Sequence, residues 1–290
     1  MKINIINAHG DLGVNIDGSK FGPKVLKKYI LNNSNINNII DIKYKNVTKS
    51  TRKNDLAKNL EPLNKFNEKI YNAVKLSKEE ECFPITIGGD HSITISSALA
   101  SINHEKSLGV LWIDTHPDFN TFESTTTGNI HGMPLATITG NNGTKLTMFH
   151  NGTFYKNENT VIVGARDIDP LEKENLEKAK IKIFSTHDIK TKNIEKIIDE
   201  AVSIALANTD GLHVSFDIDV IDPNIAPGIS VGFKDGINEN ETQKILNALL
   251  KYKDKIKSFD IVEFNPKKDI DKKTEKITKD ILIKIIDEFK

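Results

Sequence analysis

The sequence predicts an α/β fold of three layers, in which helices cover both faces of a parallel β-sheet. Short apolar runs rich in β-branched residues alternate along the chain with longer amphipathic segments. The apolar runs read as buried strands, and strand–helix alternation is typical of parallel sheets. At 290 residues the chain can bury a large core. Because neither an internal repeat nor a Pro/Gly/Ser-rich linker marks a boundary, we expect residues 1–290 to form one domain.

Eight apolar runs are strand candidates. In chain order they span residues 3–6, 39–44, 84–87, 109–113, 160–163, 180–184, 212–216 and 259–262. The N-terminal segment, residues 1–7, is too short and too interrupted by Asn to be a signal peptide. We therefore expect the chain to open on a strand.

Four segments have apolar side chains at helical spacing, and three polar stretches predict surface loops. The helix candidates are residues 23–31, 195–207, 239–252 and 277–289. The predicted loops are residues 45–59, 141–159 and 267–276. The last loop has the alternating charge of a solvated face.

Composition excludes several classes of function. Forty basic residues balance forty acidic ones, so the chain lacks the positive charge expected of a nucleic-acid-binding protein. No apolar run approaches the ~20 residues that span a bilayer. The single cysteine, Cys82, cannot form an internal disulfide and excludes a thiolate zinc cluster. We expect a cytoplasmic protein with no nucleic-acid or membrane partner.

Three coordinating side chains follow the strand candidate 109–113 directly. Asp114, His116 and Asp118 stand at i, i+2 and i+4, which places them on one side of an extended chain. Carboxylates this close repel each other unless a cation lies between them. The segment therefore predicts one wall of a metal site. A solvated turn is the alternative, and the apolar run that leads directly into Asp-x-His-x-Asp disfavours it.

Three further clusters carry polar side chains that suit chemistry. Asp217 and Asp219 follow the strand candidate 212–216, and an Asp-rich turn before proline does not explain Asp217. His91 lies in Gly-Gly-Asp-His-Ser after the strand candidate 84–87, where Ser92 could cap the next helix. A loop with a surface histidine explains that segment equally well. His131 lies between glycines in a polar loop, and taken alone it is weak evidence for a site.

The combination is stronger than its parts, because the carboxyl ends of parallel strands converge on one crevice. Two imidazoles and four carboxylates would meet there, which is more than one divalent ion uses. Two ions roughly 3.5–4 Å apart can share them and activate a water for hydrolysis. Oxygen-rich donors with some nitrogen suit Mn²⁺, and zinc, cobalt, iron and nickel remain alternatives. The predicted ligands are His91, Asp114, His116, Asp118, Asp217 and Asp219.

Five motifs in this chain resemble those of the ureohydrolases, and of arginases most closely. They are Gly-Gly-Asp-His-Ser at 88–92, Asp-Thr-His-Pro-Asp-Phe-Asn at 114–120, Thr-Gly-Asn-Ile-His-Gly at 127–132, Ser-Phe-Asp-Ile-Asp at 215–219 and Glu-Phe-Asn-Pro at 263–266. They occur in the family's order. The resemblance implies one domain with an eight-stranded parallel sheet and two Mn²⁺ per subunit. It also implies assembly into a trimer or hexamer.

The resemblance implies a role for each predicted ligand. His91 and Asp118 would bind one ion, and His116 and Asp219 the other. Asp114 and Asp217 would bridge the two ions. Asp118 would also hold a metal-bridging hydroxide, the nucleophile that attacks the substrate.

The same resemblance implies roles around the substrate. His131 would be the proton shuttle, and Glu263 would pair with the guanidinium. Asn120 and Thr127 would hold the carboxylate end of L-arginine, and Asn129 would also bind the substrate. Asp169 and Glu172 would hold the amino end. The products would be L-ornithine and urea, and agmatine would be disfavoured because it lacks the carboxylate.

One segment departs from the arginase pattern. Residues 227–233 read Pro-Gly-Ile-Ser-Val-Gly-Phe, where arginases and agmatinases usually read Pro-Gly-Thr-Gly-Thr-Pro. Val231 stands in place of a threonine hydroxyl and cannot form a hydrogen bond through its side chain. Ser230 could partly replace that hydroxyl. An agmatinase, a formimidoylglutamase or another guanidino-compound hydrolase is therefore the alternative, followed by a catalytically inactive family member.

Overall fold

All eight predicted strands are present in the computed structural model, which describes residues 1–45, 47–50, 52 and 55–289. They form one all-parallel sheet in the order β2-β1-β3-β8-β7-β4-β5-β6. The strands are β1 (Ile3–His9), β2 (Ile36–Lys43), β3 (Phe83–Ile87), β4 (Leu108–Ile113), β5 (Thr160–Ala165), β6 (Lys182–Ser185), β7 (Gly211–Asp217) and β8 (Ile256–Val262). The predicted fold class is therefore confirmed.

Helices flank the sheet, and an apolar core lies on each of its faces. Strands β3, β4 and β5 are buried along their whole length, which explains why their sequences read as continuous apolar runs. The helices within the described residues are α1 (Gly22–Lys27), α2 (Leu60–Glu79), α3 (Thr94–Glu105), α4 (Pro134–Ile138), α5 (Pro170–Ala179), α6 (Thr186–Thr191), α7 (Ile194–Ala205), α8 (Glu239–Leu250) and α9 (Lys273–Glu288). Over that part of the chain, no helix is both long and apolar enough to cross a membrane.

Several local predictions need correction. Helix α1 ends at Lys27, four residues before the predicted end, and turns follow it. Helix α9 begins at Lys273, so the last part of the predicted loop 267–276 is helical. Asp90, not Ser92, caps the turn after β3, since its carboxylate accepts the Ser92 backbone N–H at 2.9 Å. In the predicted loop 45–59, residues 46, 51, 53 and 54 lie outside the described residues, and the others form neither helix nor strand.

Candidate metal centre

Four neighbouring strands deliver the polar side chains of the site. His91 lies in the turn after β3, Asp114 directly follows β4, Asp217 ends β7 and Glu263 directly follows β8. These strands are adjacent in the order β3-β8-β7-β4. Their carboxyl ends therefore bring residues together that are as far apart in sequence as His91 and Glu263.

The His91 imidazole faces three carboxylates. Its Nδ1 lies 3.0 Å from one oxygen each of Asp114, Asp118 and Asp217. None of the three contacts has hydrogen-bond geometry, and this buried nitrogen has no other partner among the described residues. A buried imidazole nitrogen that faces three carboxylate oxygens without hydrogen bonding fits a shared cation better than it fits a hydrogen-bond network.

A second group of donors shares Asp114 with the first. His116 Nδ1 lies 3.0 Å from Asp219 Oδ2 and 3.6 Å from Asp114 Oδ1. Two triads, His91/Asp114/Asp118 and Asp114/His116/Asp219, each place their donor atoms close enough together to hold one ion. The structure thus brings together all six predicted ligands and places Asp114 between the two groups. Asp217 contacts the His91 group.

Charge repulsion in this cluster calls for a cation. Burial, together with the negative charge of Asp114, raises the pKa of Asp118 to about 7. Burial and the charges of Asp219 and Asp114 raise the pKa of Asp217 well above its ordinary value. Buried carboxylates with raised pKa values resist ionising together, and bound divalent cations would remove that penalty. The residues present therefore fit a divalent metal centre.

Backbone and ring contacts fix the orientation of the carboxylates. The Trp112 indole Nε1 donates to Asp114 Oδ2 at 3.0 Å, and the His116 backbone N–H donates to Asp114 Oδ1 at 2.7 Å. The Asp219 backbone N–H donates to Asp217 Oδ1 at 2.7 Å. Asp118 adopts a left-handed backbone conformation with φ 51°. The arrangement is held in place before any ion binds, which favours tight binding.

Glu263 and His131 lie beside the cluster. Glu263 Oε1 accepts the His91 backbone N–H at 2.9 Å and lies 3.3 Å from His131 Nδ1. Its other oxygen, Oε2, is buried and has no hydrogen-bond partner within the described chain. Burial lowers the pKa of His131, but the contact with Glu263 and the charges of other carboxylates outweigh this and raise it. Glu263 thus keeps one oxygen available for a cationic group.

A cleft of about 220 Å³ opens from the cluster, and all of the predicted substrate-binding residues except Glu263 line it. Asn120 Nδ2 donates to Asp169 Oδ2 at 3.1 Å, which links the two predicted ends of the substrate site. Glu172 accepts the backbone N–H groups of Phe119 and Asp169, and burial raises its pKa to about 8. The residues that line the cleft include His116, Asp118, Asn120, Thr127, Asn129, His131, Asp169, Glu172 and Val231.

The structure separates Val231 from Ser230. Val231 lines the cleft. Ser230 is buried outside the set of lining residues, where its hydroxyl accepts a hydrogen bond from Asn265 Nδ2 at 3.2 Å. Ser230 therefore does not supply the hydroxyl that Val231 lacks.

Sequence reasoning missed three residues that organise the site. Trp112 holds Asp114, as described above, and Ser215 lies 2.8 Å from His91 Nε2. Each stands two residues before a carboxylate of the cluster. Because side chains two residues apart in a strand point to the same face, the sequence could have indicated that both lie near the cluster. Arg166 donates to the backbone oxygens of Asp219, Val220 and Phe233, which ties a wall of the cleft to the turn after β7. No comparable spacing pointed to it.

Comparison with known proteins matches almost the whole chain to arginases. The sequence model of the Arginase family matches residues 1–287. The chain is 35% identical to the arginase of Bacillus subtilis over 283 residues, which covers 94% of each protein. It is 39% identical to the arginase of Brevibacillus brevis over 210 residues, or 72% of this chain and 70% of that one. The structure of the Bacillus caldovelox arginase superposes with a TM-score of 0.92 at 30% identity, covering 98% of both chains. The chain therefore belongs to the arginase family and is a ureohydrolase, an enzyme that hydrolyses a carbon–nitrogen bond of an amidino group.

Proposed function

We propose that the protein is a manganese-dependent arginase that hydrolyses L-arginine to L-ornithine and urea. The observation that carries the proposal is the pair of donor triads that share Asp114 at the base of the cleft. The kinship with enzymes named arginase supports arginine as the substrate. We also propose that residues 1–290 act as one domain and assemble as a trimer or hexamer, which the family resemblance alone supports.

Six side chains would hold two Mn²⁺ ions. His91 and Asp118 would bind one ion, His116 and Asp219 the other, and Asp114 and Asp217 would bridge them. Oxygen-rich donors with two imidazoles suit this ion. The bound pair would lower the pKa of a water towards neutrality and stabilise negative charge that develops on the substrate.

The protein groups around the cluster would orient the substrate and move protons. Glu263 Oε2, which lacks a hydrogen-bond partner in the described structure, would accept a hydrogen bond from the guanidinium. Asp118 would orient the attacking water by accepting a hydrogen bond from it. His131 lines the cleft, and its side chain is 18% exposed, so it would carry a proton between solvent and the departing amine of ornithine.

Residues farther up the cleft would recognise the amino-acid end. Asn120, Thr127 and Asn129 would hold the α-carboxylate. Asp169 and Glu172 would hold the α-amino group, and Asp169 is the freer of the two because both oxygens of Glu172 accept backbone N–H groups. These contacts would disfavour agmatine, which has no carboxylate to bind.

Val231 supports a second candidate function. Its methyl groups line the cleft, where this family usually has a threonine hydroxyl. Another guanidino compound or formiminoglutamate could therefore be the preferred substrate, and an inactive protein is the remaining alternative.

An assay panel on Mn²⁺-loaded protein separates these functions. It measures urea released from arginine, agmatine and other guanidino compounds, and formamide released from formiminoglutamate. We expect arginine to give the highest kcat/KM. A kcat/KM for arginine far below that for a rival substrate would overturn the arginase proposal. Two bound Mn²⁺ without turnover of any substrate would identify an inactive member.

A further inference from the structure

The Ser215 hydroxyl contacts the Nε2 edge of the His91 ring, which points away from the carboxylates. Ser215 is fully buried, and its Oγ lies 2.8 Å from His91 Nε2. We propose that Ser215 is a positioning residue that keeps His91 Nδ1 free to bind metal and thereby sets the affinity of one metal position. The inference rests on the metal centre of the proposed function and adds a residue that the ligand set does not contain.

The strand geometry places the hydroxyl where this role needs it. Ser215 stands two residues before Asp217 on β7, so both side chains lie on one face of the sheet. The Thr94 hydroxyl, at the start of α3, lies 3.3 Å from Ser215 Oγ. Ser215 can therefore accept the proton of His91 Nε2 and direct its own hydrogen at Thr94.

Metal binding at Nδ1 needs the His91 tautomer with its proton on Nε2, and the Ser215 hydroxyl is placed to accept that proton. With the proton on Nε2, the Nδ1 lone pair faces the oxygens of Asp114, Asp118 and Asp217 at 3.0 Å. Without the hydroxyl, a protonated Nε2 would be buried with no acceptor, which is unfavourable. Moving the proton to Nδ1 would relieve that cost and remove the lone pair that binds metal.

Trp112 and Ser215 restrain different motions of the same ring. The Trp112 and His91 rings stack at a centroid distance of 4.0 Å and an interplanar angle of 6°. Stacking fixes the plane of the imidazole but leaves it free to slide or turn within that plane. The hydrogen bond at Nε2 removes this remaining freedom, so Ser215 completes the alignment of Nδ1.

The chain contains a matched control on the next strand. Ser258 Oγ lies 2.7 Å from His213 Nδ1, and both residues are buried. Ser258 and His213 are paired in the β7–β8 register, close to Ser215. His213 belongs to neither of the two donor triads. Ser258→Ala therefore removes a serine–histidine hydrogen bond of the same kind and burial, away from the metal ligands.

The test is a calorimetric titration of Mn²⁺ into metal-free wild-type protein, Ser215→Ala and Ser258→Ala. Fluorescence of Trp112, the only tryptophan, gives a second readout because its ring contacts both His91 and Asp114. We expect Ser215→Ala to weaken one of the two Mn²⁺ equivalents by about 10- to 100-fold. Ser258→Ala should bind both equivalents as the wild type does.

The outcomes separate this inference from the proposed function. Equal Mn²⁺ affinity in Ser215→Ala and the wild type overturns the inference, as does an equal loss in Ser258→Ala. If metal-free Ser215→Ala does not fold, Mn²⁺ is titrated into metal-free Thr94→Val instead. Unchanged Mn²⁺ affinity in Thr94→Val also overturns the inference. Wild-type protein that binds two Mn²⁺ but releases no urea from arginine overturns only the proposed function. Wild-type protein that binds no divalent ion overturns both.

Discussion

Asp114→Asn should weaken both metal positions with a single isosteric change. Asp114 is fully buried, belongs to both donor triads and has one oxygen 3.0 Å from His91 Nδ1 and the other 3.6 Å from His116 Nδ1. Removing one charge from a buried, paired cluster costs about 3–5 kcal/mol. Since each 1.4 kcal/mol is about tenfold in affinity, both Mn²⁺ equivalents should weaken by about 10²- to 4 × 10³-fold.

The assay combines Mn²⁺ titration of metal-free protein with urea release from arginine. Asp167→Asn is a matched control, because Asp167 lies 3.6 Å from His116 Nε2 but its side chain is 45% exposed and outside both triads. We expect the control to bind two equivalents with nearly normal affinity. Comparable melting temperatures of the metal-free proteins would show that neither change disrupts the fold.

The pattern of loss tests the shared position directly. If Asp114 serves both ions, the two equivalents weaken together and urea release falls with them. Loss of one equivalent while the other keeps its wild-type affinity would refute the shared role and assign Asp114 to a single ion. Unchanged affinity for both would refute the metal centre as assigned.

The other predictions concern residues around the metal cluster. His131→Asn should leave Mn²⁺ stoichiometry intact and slow turnover by about 10²- to 10⁴-fold, and metal loss in this variant would contradict a proton-shuttle role. Asp169→Ala should raise KM for arginine more than KM for agmatine, whereas equal changes would argue against contact with the amino end. Val231→Thr should raise kcat/KM for arginine by about 2- to 10-fold through one added hydrogen bond, and a decrease would show that the cleft is adapted to the methyl group. Burial raises the pKa of Glu172 to about 8, so the free energy of unfolding should decrease as pH rises from about 4.5 through 8. Glu172→Gln should reduce this pH dependence when the free energy of unfolding is measured by chemical denaturation. An unchanged pH dependence in Glu172→Gln would contradict the prediction.

The sheet could be predicted because its central strands are buried on both faces. Continuous apolar runs as short as β4 and β5 are typical of buried strands when helical segments separate them. The ends of helices were less predictable. Helix α1 stops at Lys27 although the apolar spacing continues to the buried Ile30, which lies in the turns that follow the helix. Helix α2, the longest described helix, carries many Lys and Glu residues among its apolar positions and was not identified.

The membership of the cluster was largely predictable because parallel strands end at a common edge. Asp114, His116 and Asp118 follow β4 as expected, but they lie in a bend and Asp118 has a left-handed backbone, so the predicted extended chain is not what aligns them. The contact between Glu263 Oε1 and the His91 backbone N–H could not be predicted in this way, because it joins residues 172 positions apart through the adjacency of β3 and β8. The order of strands in a sheet does not follow from local sequence patterns.

Loops form the part of the cleft that is predicted to bind the amino-acid end of the substrate, and Val231 lies in one of these loops. The predicted metal ligands lie at the ends of buried strands or in the turns that follow them. Val231 instead lies in a loop that Arg166 holds through the backbone oxygens of Phe233 and Lys234. Arg166 also binds the backbone oxygen of Asp219, so the loop and a predicted metal ligand share one anchor. A change at residue 231 therefore alters the chemistry of the cleft wall while the anchor keeps the wall in place. We therefore expect substitutions at residue 231 to change substrate preference more than they change metal binding.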